Sequence, residues 1–317
     1  MKVFHKLSEL GAVPGPVVIA AGVFDGLHLG HQAVLKCALE TARSVAGTAV
    51  VLTFDPHPSK ILRPDNASRL LTSTRHKLRL MEDFGMPAVL VLPFDRDFAS
   101  VGAEDFLRAL KASTPQLTRI CVGQGWRFGH ERRGDAGLLQ RVGRDLGFET
   151  SEVPPIQIHG ITVSSTRIRQ LVEAGDLADV RRFLGRNYSV FGTVRKGDGL
   201  GRQIGFPTAN LATHNEQFPP NGVYCVRARA GDRNLVGVAN IGIRPTVQAA
   251  GERLLEVHLI AFEGDLYGHD LETEFVRFLR PERKFPDVAA LRDQIARDVQ
   301  SACRAEASAP DLRDGEA

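Results

Sequence analysis

His28 and His31 stand three residues apart with Gly30 between them, directly after Ala21-Gly22-Val23-Phe24-Asp25-Gly26-Leu27. An apolar run enters this segment and a helical pattern leaves it, so the histidines fall at the mouth of a strand-to-helix turn. A helix N-terminus presents unpaired N–H groups and a partial positive charge, which suits a polyphosphate. Two imidazoles there add donors that can follow charge developing on an α-phosphate and a departing pyrophosphate. The implied chemistry is nucleotidyl transfer by alignment and electrostatics, with no covalent intermediate. An isolated HxxH pair is more readily a helix cap or a packing pair. A zinc reading fails because the glutamate of HExxH is absent and no third ligand is suggested. The glycines at 22, 26 and 30 and the strand–helix context favour phosphate. Ser164-Ser165-Thr166-Arg167-Ile168-Arg169 opens a later helix. Its hydroxyls could cap that helix or reach phosphate, and Arg167 could grip two phosphate oxygens.

A second constellation has different chemistry. Gly192-Thr193-Val194 and the stretch from Gly197 to Gly205 lead into Phe206-Pro207-Thr208-Ala209-Asn210. No GxxxxGK[ST] is present, so this is not a Walker A loop. Thr208 and Asn210, two apart on a strand, share a face and can offer two neutral oxygens to Mg²⁺, which takes its remaining ligands from water and substrate phosphates. Glu256, in Leu254-Leu255-Glu256-Val257-His258, could be the base for a hydroxyl nucleophile or an exposed strand carboxylate.

The elements that must position these residues differ between the two halves. Strands are expected at Val17 to Ala21, Thr48 to Phe54, Ala88 to Leu92, Arg119 to Gly123 and Glu149 to Val153. Helices alternate with them over Gly30 to Ala46, Thr74 to Phe84, Ala103 to Ala112 and Asp135 to Leu146. Repeated β-α-β units imply a parallel sheet with ligands outside the carboxyl ends of its strands. Phe24 to His31 and Thr53-Phe54-Asp55-Pro56-His57-Pro58 both fall on that edge. Ser165 to Leu184 is helical, broken at Gly175-Asp176. After Gly185 come short strands at Ser189–Val194, Gly222–Ala228, Leu235–Ile241, Leu254–Phe262 and Glu272–Leu279, the spacing of a small antiparallel barrel. Val288, Leu291, Ile295 and Val299 recur at helical spacing, so a closing helix is expected across it.

Composition bounds the partners. The 317 residues allow two cores, and 43% hydrophobic with 24% charged residues describes a soluble globular chain. A formal charge of +3, without a long basic run, argues against nucleic acid as partner. The four cysteines are scattered without a CxxC pair, which implies buried free thiols. No apolar run approaches the ~18 residues of a membrane helix, and Met1 to Lys6 has no leader-like core, so the cytoplasm is the expected compartment. The number of copies in the assembly is left open.

Taken together, GxFDGxHxGH, TFDPHP, SSTRIR, GRxxGFPTAN, Pro220-Asn221-Gly222-Val223-Tyr224, Gly237-Val238-Ala239-Asn240-Ile241-Gly242 with Arg244-Pro245-Thr246, LEVH and Asp265-Leu266-Tyr267-Gly268 resemble the prokaryotic bifunctional riboflavin kinase/FAD synthetases, from about residue 17 to 300. The resemblance implies an α/β nucleotidyltransferase-type parallel-sheet domain followed by a small antiparallel β-barrel kinase domain with a C-terminal helix. The change of pattern at Gly185 places these over 1–185 and 186–305, and the polar composition from Glu306 onward implies a disordered tail over 306–317. It implies phosphorylation of riboflavin to FMN, then adenylylation of FMN to FAD, with ATP and Mg²⁺ serving both steps. Phe24, Asp25, His28, Gly30, His31, Ser165, Thr166 and Arg167 would contact ATP in the first half. Phe54, Pro56 and Phe128 would contact the flavin, although Phe54 and Phe128 read equally well as core. In the second half, Gly192, Gly205, Phe206, Pro207, Thr208 and Asn210 would bind the kinase substrates, Thr208 and Asn210 the metal, and Glu256 would act as base on the ribityl hydroxyl.

Two departures stand out. Family members resemble V-G-[DN]-[DN]-F-x-F-G where this chain has Val122-Gly123-Gln124-Gly125-Trp126-Arg127-Phe128-Gly129, so the polar group at 125 is missing. Ala261 interrupts a segment that is LLDF-like in relatives. The first departure motivates an alternative, a riboflavin kinase with a weakened or regulatory flavin-binding first half. A nicotinamide-mononucleotide adenylyltransferase would have no use for the PTAN half.

Overall fold

Every residue of Val17–Ala21 is buried, without the in-and-out alternation of a half-solvated strand. Such a run needs cover on both faces, which a parallel sheet between two helix layers supplies. The computed structural model describes residues 1–197, 199–244 and 252–307, and the chain divides into two units, Met1–Ser165 and a second beginning at Thr166. Asp198, Pro245, Thr246 and the tail positions 308–317 lie outside the described residues.

The first unit runs β1 (Lys2–Phe4), β2 (Val17–Ala21), α1 (Leu29–Ser44), β3 (Thr48–Asp55), α2 (Pro58–Leu62), α3 (Thr74–Asp83), β4 (Ala88–Pro93), α4 (Arg96–Ala99), α5 (Ala103–Ser113), β5 (Leu117–Gly123), α6 (Ala136–Leu146), β6 (Glu149–Val153), β7 (Gln157–Ile158) and β8 (Ile161–Thr162). Six strands form one sheet in the order β1-β4-β3-β2-β5-β6, with every pairing parallel. Successive strand residues point to opposite faces, so β2 divides its side chains between two cores. Val17, Ile19 and Ala21 join Leu107, Leu110, Leu139 and Val142 on one face. Val18 and Ala20 join Val34, Leu35, Ala38 and Met81 on the other. The chain leaves β2 toward β3 and leaves β5 toward β6, in opposite directions, which opens the crevice at their carboxyl ends.

The second unit holds α7 (Ser165–Ala174) from Thr166 on, α8 (Leu177–Leu184), β9 (Ser189–Arg195), α9 (Leu200–Gln203), β10 (Ala209–Thr213), β11 (Gly222–Ala230), β12 (Arg233–Arg244), β13 (Glu252–Leu259), β14 (Asp270–Arg280) and α10 (Val288–Ala307). Its six strands close into an antiparallel barrel in the order β10-β13-β12-β11-β14-β9. Tyr224 and Phe275 are wholly buried in it and meet edge to face at 5.2 Å. Ala302 and Ala305 of α10 pack on Val223, Cys225 and Val238, with Val299 alongside.

The sequence reading places the domain boundary near Gly185; of the two compact units the first ends at Ser165, and α7 from Thr166 and α8 belong to the second, where α8 lies against β14. Glu306 and Ala307, assigned by sequence to a tail, extend α10. The four cysteines are free; Cys121 and Cys225 are buried as expected, but Cys37 is half-buried and Cys303 exposed.

Candidate active sites

Between β2 and α1 the backbone enters the left-handed region at Phe24 (φ 56°), Gly26 (φ 81°) and Leu27 (φ 40°). Non-glycine residues seldom adopt this conformation, and it clusters at functional turns. His28 then caps α1, its Nδ1 accepting the His31 N–H at 3.2 Å. The capping alternative is therefore real, and it has a chemical consequence. With Nδ1 an acceptor, neutral His28 carries its proton on Nε2. The His28 and His31 rings stack at 3.6 Å with planes 17° apart, and Phe24 meets His31 edge-on at 5.3 Å. A Cβ at Gly30 would sit 3.2 Å from the His28 ring, so this glycine makes room for the imidazole. Burial, reinforced by neighbouring His28 and Lys77, holds the His31 imidazole well below its ordinary pKa and hence neutral at pH 7. Its Nδ1 is buried with no hydrogen-bond partner among the described residues.

Beneath this turn lies a polar network. Asp25 is buried, its carboxylate accepting from the Leu71 and Thr72 amides at 3.2 and 2.9 Å and from the Thr72 hydroxyl at 3.1 Å. The side chain expected to meet ATP thus anchors a loop. Its carbonyl accepts from the Ser165 hydroxyl at 2.9 Å. Ser165 is thereby brought to the histidine turn, while Thr166 and Arg167 continue along α7 in the second unit, where Arg167 donates to Gln170 at 3.4 Å. Sequence reasoning passed over Lys77, a buried lysine on α3 directed into this network. The available signal was a charge sharing the buried helix face of Leu80 and Met81.

A cavity of about 540 Å³ opens beside the turn, walled by Phe54, Phe94, Phe98, Phe106, Trp126 and Phe128. Trp126 and Phe128 stack at 4.5 Å, 14° from parallel, and Phe54 meets Phe94 edge-on at 5.6 Å. Exposed Arg63, Arg96 and Arg132 stand at its rim. An apolar, aromatic interior with cationic margins suits a flat ring bearing a phosphate. Phe54 and Phe128 belong both to the cavity wall and to the core, so neither reading excludes the other. Pro56 is exposed and does not line the cavity; Pro58, two residues on, does. At the departure from the family pattern, the Gly125 N–H donates to the Glu152 carboxylate at 3.1 Å, so a carboxylate reaches this loop from β6.

In the barrel, Asn210, Glu256 and Asn240 are register partners across β10, β13 and β12. Directly opposed residues share a face, and all three line a cavity of about 380 Å³ together with Thr208, Phe206 and His258. Thr208 immediately precedes β10 yet reaches the same space as Asn210. A Cβ at Gly197 would strike the Asn210 carboxamide, so the glycine loop lies directly against it. His258 donates from Nδ1 to the Pro207 carbonyl at 2.9 Å, tying β13 to the PTAN loop. Pro207 and Thr208 also border a smaller cavity of about 80 Å³ with Phe262, Leu266 and Tyr267. Gly205 is the turn residue behind Phe206, at φ 87°. Gly192 faces neither cavity; a Cβ there would meet the Ala212 carbonyl at 2.7 Å, so it serves close strand approach. The far wall comes from Leu291, Ile295 and Asp298 of α10. Asp298 accepts Arg280 bidentately at 3.0 and 2.8 Å and pins the helix to β14. Neutral oxygens at Thr208 and Asn210 with a carboxylate nearby are hard donors that fit Mg²⁺ where substrate phosphates complete the shell.

The FAD synthetase family model matches residues 12–167, and the riboflavin kinase model residues 184–305. The bifunctional riboflavin kinase/FMN adenylyltransferase of Escherichia coli strain K12 is 37% identical over 304 residues, covering 95% of this chain and 97% of that protein. That of Haemophilus influenzae is 35% identical, covering 95% and 98%. A solved structure described as a macrolide-efflux protein from Streptococcus pneumoniae matches with a TM-score of 0.82 and 27% identity, over 96% of this chain and 99% of that one. Among the described residues, no helix is long and apolar enough to cross a membrane.

Proposed function

The chain belongs to the bifunctional riboflavin kinase/FMN adenylyltransferase family, and from that premise we propose how its side chains divide the work. The enzyme transfers a phosphoryl group from ATP to riboflavin, giving FMN, and adenylylates FMN to FAD with release of pyrophosphate. The observation that carries the residue assignment is that each unit holds one constellation beside a ligand-sized cavity.

In the barrel, Glu256 takes the proton of the riboflavin hydroxyl as its oxygen attacks the γ-phosphorus of ATP. Thr208 and Asn210 would hold Mg²⁺ on the substrate phosphates, where the ion supplies charge neutralisation. Leu291 and Ile295 exclude water from the far side. In the first unit the attacking group is the FMN phosphate, already anionic, so no base is needed. The aromatic cavity holds the flavin ring, and the amides opening α1 with His28 Nε2–H receive charge that develops on the second ATP. Neutral His31 buttresses His28 by stacking. Ser165 fixes the turn through Asp25, and Arg167 is assigned to the ATP phosphates. The cytoplasm, with its ATP supply, is the compartment this reading implies.

Product analysis with riboflavin, ATP and Mg²⁺ tests the assignment. Wild type is expected to give FAD, His28→Ala FMN alone, and Glu256→Ala neither. FAD from His28→Ala at the wild-type rate would remove His28 from the site. Wild type that stops at FMN would favour the reading in which the first unit only binds flavin.

A further inference from the structure

The buried ammonium of Lys77 has no part in the chemistry above, yet it sits beneath it. An ammonium has three protons to donate, and three oxygens meet this one: Thr53 Oγ1 at 2.9 Å, the Val23 carbonyl at 3.1 Å and the Phe54 carbonyl at 3.4 Å. Thr53 also donates to the Val23 carbonyl at 3.0 Å, closing the arrangement. The acceptors come from two neighbouring strand ends. Val23 precedes the left-handed turn that delivers His28, and Phe54 supplies a wall of the aromatic cavity.

We propose that Lys77 is a positioning residue for adenylyl transfer, its ammonium setting the distance between the histidine turn that receives the nucleoside triphosphate and the aromatic wall that receives the attacking flavin mononucleotide. The inference rests on the first-unit reading given above. With its donors occupied by protein oxygens, Lys77 acts through Val23 and Phe54 and does not touch substrate. An in-line displacement is sensitive to such spacing, because a misplacement of about 1 Å can cost ~10²-fold.

The charge matters as well as the bonds. Asp25 and Asp55 face the ammonium and favour its charged form, while His31 faces it from α1. Burial outweighs the carboxylates and brings the Lys77 pKa down to about 8. Below that pH the ammonium is intact; as pH rises through it, the proton and one donor are lost and the turn is released.

The test measures FMN adenylylation and riboflavin phosphorylation in the same preparations, so that the barrel activity reports intact protein. Wild-type adenylylation comes first, and its absence would overturn the site reading and this inference with it. With wild type active, Lys77→Met is expected to lower the kcat of adenylylation ~10²-fold with little change in the KM for ATP, to lose the alkaline limb near pH 8, and to leave phosphorylation unchanged. Thr53→Val, which keeps the side-chain shape, removes one acceptor of the charged form. It should move that limb to lower pH by about half a unit or more, a shift that loss of packing alone does not produce. Lys77→Met within threefold of wild type would overturn the proposal, as would a limb that stays in place in Thr53→Val. Should Lys77→Met lose both activities through misfolding, the limb in Thr53→Val decides.

Discussion

The residues of the first site are connected through contacts shorter than a side chain, so small substitutions should separate stability from activity. Gly30 is the clearest case. Alanine in a helix is favoured over glycine by up to ~1 kcal/mol, yet a Cβ here would lie 3.2 Å from the His28 ring. Gly30→Ala is therefore expected to melt no lower than wild type while FMN adenylylation falls at least ~10-fold, as expected for loss of one aligned donor; phosphorylation is the internal control. His28, His31, Thr208, Asn210 and Glu256 were legible in the sequence as candidates, the first four from residue types at short spacing and Glu256 through the family resemblance. Lys77 was not, since its acceptors lie 23 to 54 positions away. The direction of the Asp25 side chain could not be read from its place in the motif; it turns inward to Leu71 and Thr72. Pro56 and Pro58 could not be told apart from sequence, since only the turn at the end of β3 decides which one faces the cavity.

At the level of elements, α10 makes a cavity out of a barrel surface, and the Arg280–Asp298 ion pair helps to set its position beside Arg227–Glu306 and the apolar packing. The Arg280 and Asp298 side chains are 18% and 6% exposed, so removing one leaves a charge in poor contact with water. Asp298→Ala is expected to destabilise the barrel unit by ~3 kcal/mol in denaturant unfolding. It should also raise the KM for riboflavin, because Leu291 and Ile295 ride on the same helix. FMN adenylylation should not change. Long elements were readable from periodicity: α1, α3, α5 and α6 begin and end within two residues of the expected positions. The elements without a clear signal were short or interrupted. β1 has three residues, β7 and β8 two each, and β10 starts directly after the Pro207-Thr208 turn. Such segments are strands because neighbours complete them, which no local pattern records.

Each unit of the molecule has its own core, and the single tryptophan, Trp126, belongs to the first. Tryptophan emission should therefore follow the unfolding of one unit, whereas far-ultraviolet circular dichroism follows both. The two denaturation curves are expected to separate, and FMN at a hundredfold excess over its Kd should shift the emission curve by ~2.7 kcal/mol. Coincident curves would mean that the two cores melt as one cooperative unit. The closed barrel has a further consequence, for behaviour in a crowded solution. A β-sheet recruits foreign chains through unpaired edge strands, and a barrel has no edge to offer. Among the described residues, the two-residue strands β7 and β8 form a short separate pair, and the open six-stranded sheet of the first unit retains two rims. One is β1, three residues long and opened by Lys2; the other is β6, which carries Glu149 and Glu152. A strand from another molecule would meet a very short template on one side and like-charged carboxylates on the other. The chain can thus expose two large ligand cavities while giving few footholds for fibrous assembly.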